Sequence, residues 1–168
     1  MTTEIIAWPP AAGLDAFDWR ISMAQVASGG PFSVFAGIDR TLTVLSGTMR
    51  LTAGDAEPVA LSPQSQPYAF AGDVGTEATL IDGPVLDFNV MTRRGRVSHA
   101  VERLAFSEPT EIVLGEGISL AFVASGAARM GSEPVAAFDT LYQDDGTATL
   151  KVEPTEPLSL LLVSIRLT

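Results

Sequence analysis

Turn-forming residues punctuate this chain at short intervals, and nothing else in it constrains the fold as strongly. Gly29-Gly30-Pro31, Gly37, Gly47, Gly54-Asp55, Gly72-Asp73, Gly83-Pro84, Gly115, Gly117, Gly126, Gly131 and Asp145-Gly146 cut it into runs of strand length. Among these runs are W-R-I-S-M-A-Q-V, R-T-L-T-V-L, T-M-R-L-T, E-A-T-L-I, L-D-F-N-V-M and I-S-L-A-F-V-A. The spacing predicts an all-β sandwich or barrel rather than alternating strands and helices. No segment keeps a helical period over three turns. A-V-E-R-L-A-F around position 103 comes nearest, and it reads equally well as a strand. Asp144-Asp145-Gly146, between T-L-Y and T-A-T-L-K-V, predicts a hairpin turn.

Composition narrows the function classes. At 168 residues the chain suits one domain or two small half-barrels, and 46% hydrophobic residues argue for a filled core. A net charge of −10 disfavours nucleic acid and anionic membranes as partners, since both are polyanions. With one His and no Cys, neither a disulfide framework nor a thiolate or His-rich metal site is expected, and no cofactor is predicted. The opening M-T-T-E-I-I-A-W-P-P lacks the pattern of a signal peptide. The most apolar run, P-L-S-L-L-L-V-S-I-R-L, falls short of the roughly 20 residues that span a bilayer. The expectation is a cytoplasmic protein.

The segment F-A-G-I-D-R-T-L-T-V-L-S-G, residues 35–47, resembles the metal-binding hairpin of a cupin barrel with its ligands missing. Thr41 to Leu45 alternates β-branched and aliphatic residues, and Ser46-Gly47 turns the chain into M-R-L-T. Where metal-dependent cupins place histidines and a carboxylate, this chain has Phe35, Ala36, Asp39 and Arg40. L-S-P-Q-S-Q-P-Y-A-F, residues 61–70, resembles the second cupin hairpin, with Tyr68 where the last histidine would stand. Strands resume after Arg96 with similar number and spacing. The expected architecture is therefore a bicupin of two stacked halves: 1–96 carrying the pocket, and 97–168 as mainly scaffold.

Alternation selects the candidate site residues. On W-R-I-S-M-A, Trp19, Ile21 and Met23 share one face and Arg20, Ser22 and Ala24 the other. If the first set packs between layers, Arg20 looks into the barrel, where a guanidinium can hold a carboxylate; otherwise it is a surface arginine. Arg40 could replace the cupin cation with a fixed charge, while Asp39 could cap the turn after Gly37 and pair with an arginine. On L-D-F-N-V-M-T-R-R, Phe88 and Val90 suit a core, which leaves Asp87, Asn89 and Met91 for a pocket face or a solvated one. A buried Asp87 would need an arginine as partner. Arg93 and Arg94 could attract an anion or be ordinary surface charges. Tyr68 and Phe70 could wall a pocket or fill a core. His99 stands alone, and no nucleophile elbow, P-loop or dinucleotide-binding glycine pattern is present.

Four blocks in order then resemble the HutD/Ves family: F-D-W-R-I-S-M-A-Q-V at 17–26, G-P-F-S-V-F-A-G-I-D-R-T-L-T-V-L-S-G at 30–47, P-Y-A-F-A-G-D at 67–73 and L-D-F-N-V-M-T-R-R-G at 86–95. The resemblance implies a bicupin fold and an association with bacterial histidine utilisation. It further implies a modulator that binds a small carboxylate of that pathway, such as urocanate or a formylated amino acid; the residues read above as candidates to bind it are Arg20, Arg40, Tyr68, Phe70, Asp87, Asn89 and Arg93. Members usually carry Trp-Lys-Asn-Gly-Gly-Gly followed by Thr-Arg-Glu at the N-terminus, and M-T-T-E-I-I-A-W-P-P resembles the tail of that segment. Two other readings stay open: a metal-independent enzyme with Asp87 as acid or base, and a protein-interaction module, with a homodimer possible on general grounds.

Overall fold

A computed structural model describes residues 1–144 and 146–168. Among them the regular structure is all strand, without a helix. No helix is therefore long and apolar enough to cross a membrane among the described residues. The chain divides into two compact units, Met1–Ser98 together with Thr168, and His99–Leu167.

The first unit contains β1 (Thr2–Trp8), β2 (Trp19–Val26), β3 (Gly30–Pro31), β4 (Ile38–Ser46), β5 (Met49–Ala53), β6 (Val59–Leu61), β7 (Tyr68–Ala71), β8 (Thr76–Leu80) and β9 (Val85–Arg93). They form a five-stranded sheet ordered β1-β2-β9-β4-β7 and a four-stranded sheet ordered β3-β8-β5-β6. The second unit contains β10 (Val97–Phe106, whose first two residues belong to the first unit), β11 (Thr110–Leu114), β12 (Ile118–Ser125), β13 (Ala127–Met130), β14 (Glu133–Ala136), β15 (Thr140–Asp144), β16 (Ala148–Pro154) and β17 (Leu158–Leu167). Its sheets run β10-β17-β12-β15 and β11-β16-β13-β14. With β1 set aside, each strand of the first unit has a counterpart eight places later, in the same sheet position.

The repeat extends to local irregularities. Register slips between Val44 and Ser46 where β4 meets β9, and between Val123 and Ser125 where β12 meets β17. Each slip is followed by Ser-Gly. Gly47 (φ 78°) and Gly126 (φ 84°) hold left-handed backbone, and a Cβ at either would press on the carbonyl oxygen of Pro84 or Pro157. Glycine is required at both turns by conformation and by space.

In the first unit, Leu42, Val44, Met49, Leu51, Leu61, Ala78 and Val85 form a core drawn from both sheets, with Phe32, Tyr68 and Phe70 packed against it. A smaller cluster of Phe17, Ile38 and Met91 adjoins Phe35. The second unit's core gathers Ile112, Leu114, Val123, Met130, Val152, Leu158 and Leu160. Each fully buried large side chain contributes about 1.5–3 kcal/mol, and even the short strand β6 gives Leu61 to the first unit's core.

One local reading resolves here: A-V-E-R-L-A-F lies in the strand β10. The turn expected at Asp144-Asp145-Gly146 falls on Asp145, which lies outside the described residues; of its flanking strands, β15 pairs with β12 and β16 with β11 and β13.

Candidate functional site

Register brings the polar residues of three strands onto one face. Met91 of β9 is paired with Arg20 of β2 on one side and Arg40 of β4 on the other, and Arg40 is paired in turn with Phe70 of β7. The next row on that face is Ser22, Asn89, Leu42 and Tyr68, and the next Ala24, Asp87 and Val44. Strand alternation sends Phe88 and Val90 to the opposite face. The polar face borders a cavity of about 440 Å³ in the first unit. Arg20, Ser22, Arg40, Asp87, Asn89 and Met91, with Gln25 and Val26 at the end of β2, line it from the sheet, and residues 27–33 with Phe35 complete the lining.

A hydrogen-bonded chain runs through the sheet wall. Arg40 Nη2 donates to Asn89 Oδ1 at 2.9 Å, and Asn89 Nδ2 donates to Asp87 Oδ1 at 2.6 Å. The amide of Asn89 thus stands between a guanidinium and a carboxylate, each end matched to its neighbour. Arg40 also donates through Nη1 to the Ser33 carbonyl at 3.4 Å, while its buried Nε has no hydrogen-bond acceptor. The rings of Phe32, Phe35 and Phe70 surround the guanidinium, with centroids 5.5, 5.5 and 5.2 Å from Cζ. Cation–π attraction offsets part of the cost of burying this charge.

Burial shapes the charges. Asp87 is 1% exposed, and burial pushes its carboxyl up from 3.8 to about 7, against the opposing pull of the Arg40 charge, the Asn89 amide and the Ala24 backbone N–H. Burial also pulls the Arg40 guanidinium below its usual range, with Asp87 opposing that shift. The two charges compensate one another through the amide rather than in direct contact. Arg20 is satisfied separately: its Nε donates to Glu4 at 2.8 Å and its Nη1 to Ser22 Oγ at 3.4 Å.

Of the residues singled out in the sequence, Arg20, Arg40, Asp87 and Asn89 line this one cavity. Phe70 stands against Arg40, and Tyr68 stacks on Phe70 with centroids 5.9 Å apart. Arg93 is not in the lining. It donates through Nε and Nη2 to the Phe17 carbonyl at 3.0 and 2.8 Å and through Nη2 to the Asp15 carbonyl at 3.2 Å, gripping the β1–β2 connection. Arg94 bonds both Asp39 and Asp73, at 2.7 and 2.9 Å, which clasps the entry of β4 to the β7–β8 turn. His99 lies on β10. Phe32, Ser33 and the 25–33 wall were not singled out as site residues; the sequence marks them only as flanking Gly29-Gly30-Pro31. Among the described residues, no group of three or more His, Cys, Asp or Glu side chains is placed to hold a metal ion.

The HutD family model matches residues 1–160. Protein Ves of Citrobacter koseri is 35% identical over 152 residues, covering 90% of this chain and 77% of its own. Among solved structures, a conserved protein of unknown function from Pseudomonas aeruginosa PAO1 superposes with a TM-score of 0.88 at 30% identity, covering 99% of this chain and 91% of the other. HutD from Pseudomonas fluorescens SBW25, in a formate condition, gives 0.85 at 28% identity, with 99% and 88% covered. A cupin 2 conserved barrel domain protein from Leptotrichia buccalis, at 11% identity and a TM-score of 0.60 over 99% of this chain and 88% of the other, shares the fold. The all-β architecture is thus cupin-like, and the chain belongs to the HutD family.

Proposed function

We propose that the first unit's cavity binds a small carboxylate metabolite without a metal ion, and that this binding lets the protein modulate histidine catabolism in the cytoplasm. The observation that carries this reading is Arg40, a buried guanidinium in the cavity wall that meets the Asp87 carboxylate through the Asn89 amide rather than directly. A guanidinium held away from water is costly, and a carboxylate in the cavity offsets part of that cost by charge pairing. Phe32 and Phe35 offer apolar contact to a carbon skeleton, while Arg20, its charge paired with Glu4 through Nε, offers further guanidinium donors on the same row of the sheet. Urocanate and formylglutamate both suit this combination of an anionic group and a short planar or polar body. The family association supports a ligand from histidine breakdown.

Isothermal titration with urocanate, formylglutamate and formate tests the proposal. Saturation near one ligand per chain is expected. Arg20→Ala should weaken binding by about 1.5–3 kcal/mol, the usual worth of a charged hydrogen bond. Full affinity in that variant removes Arg20 from the site, and no heat with any of the three ligands refutes the carboxylate reading.

A second reading rests on Asp87, whose carboxyl titrates about 7 beside the cavity and is therefore suited to proton transfer near neutrality. Conversion of a bound ligand that ceases in Asp87→Asn would identify an enzyme. Recovery of the ligand unchanged after prolonged incubation excludes it for that ligand.

A further inference from the structure

We infer that the cavity takes up an anion and a proton together: as a carboxylate settles on Arg40, the Asp87 carboxylate accepts a proton from solvent. This rests on the carboxylate-binding reading above and adds to it a rule of charge conservation within the wall. The empty cavity is balanced. Arg20 is neutralised by Glu4 at 2.8 Å, and Arg40 by Asp87 through the Asn89 amide. An entering carboxylate pairs with the Arg40 guanidinium in the cavity wall and leaves Asp87 a second, competing anion. Two carboxylates sharing one guanidinium disfavour joint ionisation.

The surroundings of Asp87 leave protonation as the way to restore balance. From β4 its register partner is Val44 and the charge acting on it is Arg40, two rows along the same face; from β9 it meets Asn89, which cannot titrate. From β2 it receives the Ala24 backbone N–H, with Arg20 further along the strand. From β1 the charged groups are Glu4, already held by Arg20, and the Met1 amino group, which donates to the Gln25 carbonyl. The end of β2 and the segment that completes the lining, residues 25–33, contain no Asp, Glu, His, Lys, Arg, Tyr or Cys side chain. Asp87 is therefore the cavity-lining acid able to absorb the charge, and burial has already brought it to about 7. A new O–H bond forms at Asp87, the proton comes from solvent, and no other bond changes.

The test is titration with formylglutamate and formate between about pH 6 and pH 9, in buffers of different ionisation enthalpy. Above the Asp87 midpoint, close to one proton should be taken up per ligand, and affinity should fall about tenfold per pH unit, as a single linked proton requires. Below about pH 6 both effects should fade. In Asp87→Asn, proton uptake should vanish and affinity should no longer vary over the range. Binding without proton uptake above neutral pH overturns the inference while leaving the carboxylate site standing. Uptake that persists in Asp87→Asn also overturns it, because another group is then responsible. Absence of binding at every pH overturns the site and the inference together. Should the variant fail to fold, carboxyl carbon NMR of the wild-type protein gives an independent readout: the Asp87 midpoint must rise when formate is added, and an unmoved midpoint refutes the coupling.

Discussion

Replacing Asp87 by Asn should make the empty protein more stable, and increasingly so as the pH rises. In the folded chain the Asp87 carboxyl is pushed up from 3.8 to about 7, chiefly by burial. Between those values the folded chain holds a proton that the unfolded chain has already released, so stability falls as pH rises through this window and levels off above it. A difference of about three units at ~1.4 kcal/mol each amounts to roughly 4 kcal/mol. Set against a typical domain stability of about 5–15 kcal/mol, that is large enough to measure easily. Asparagine keeps the shape and the oxygen that Asn89 Nδ2 contacts, but it cannot ionise. Arg40's attraction for the carboxylate is already included in the folded value, so its loss is not a separate cost. Urea unfolding of both proteins from about pH 4 to pH 8 checks the argument. The advantage of the variant should be smallest at the acid end and should reach a few kcal/mol above neutrality. The remaining acids cancel in the comparison. A difference that does not change with pH, or a wild type more stable at the alkaline end, would refute the claim that burial dominates at Asp87.

Gly47→Ala and Gly126→Ala should each destabilise by a few kcal/mol, since both add a strained φ and a clash with a proline carbonyl; thermal unfolding reads this directly, and a change under about 0.5 kcal/mol at either turn refutes it. Arg93→Ala should speed proteolysis within residues 9–18 while leaving carboxylate affinity unchanged, because Arg93 grips the Phe17 and Asp15 carbonyls outside the cavity lining. Arg94→Met should accelerate amide exchange at Gly37, whose N–H donates to Asp73. Asp73 is held below its ordinary value mainly by the Arg94 hydrogen bond, so this clasp should be intact above about pH 4 and weaken as pH falls through the folded value.

Much of the fold could be read from punctuation. Glycine and proline turns separated runs that became β2, β4, β5, β8, β9 and β12, and the HutD/Ves resemblance rested on blocks that prove to be strands and their turns. Period-two alternation was also sufficient to put Asp87, Asn89 and Met91 opposite Phe88 and Val90. Alternation carries no information about partners distant in sequence, however. Phe32 and Phe35 meet Arg40 from a segment with no regular period, and Arg93 reaches carbonyls more than 70 residues away. The turn signal around Asp145-Gly146 was likewise local. Turn chemistry reverses a chain, but which sheet receives the next strand depends on pairing with β11 and β13.

The repeated strand order allows each position in one unit to be matched with its counterpart in the other. At the register positions of Arg40, Asp87 and Asn89, the second unit has Ser119, Leu160 and Leu162. Leu160 is fully buried within an aliphatic core, whereas Asp87 is equally buried beside a cavity. One strand plan thus has two solutions for the same interior face, one closed with hydrocarbon and one kept polar. A carboxylate introduced at Leu160 would have no guanidinium at position 119 to meet it, so the exchange between the copies is not symmetric. The same strand plan thus carries a buried charged pair bridged by an amide in one unit and ordinary aliphatic packing at the matching positions of the other.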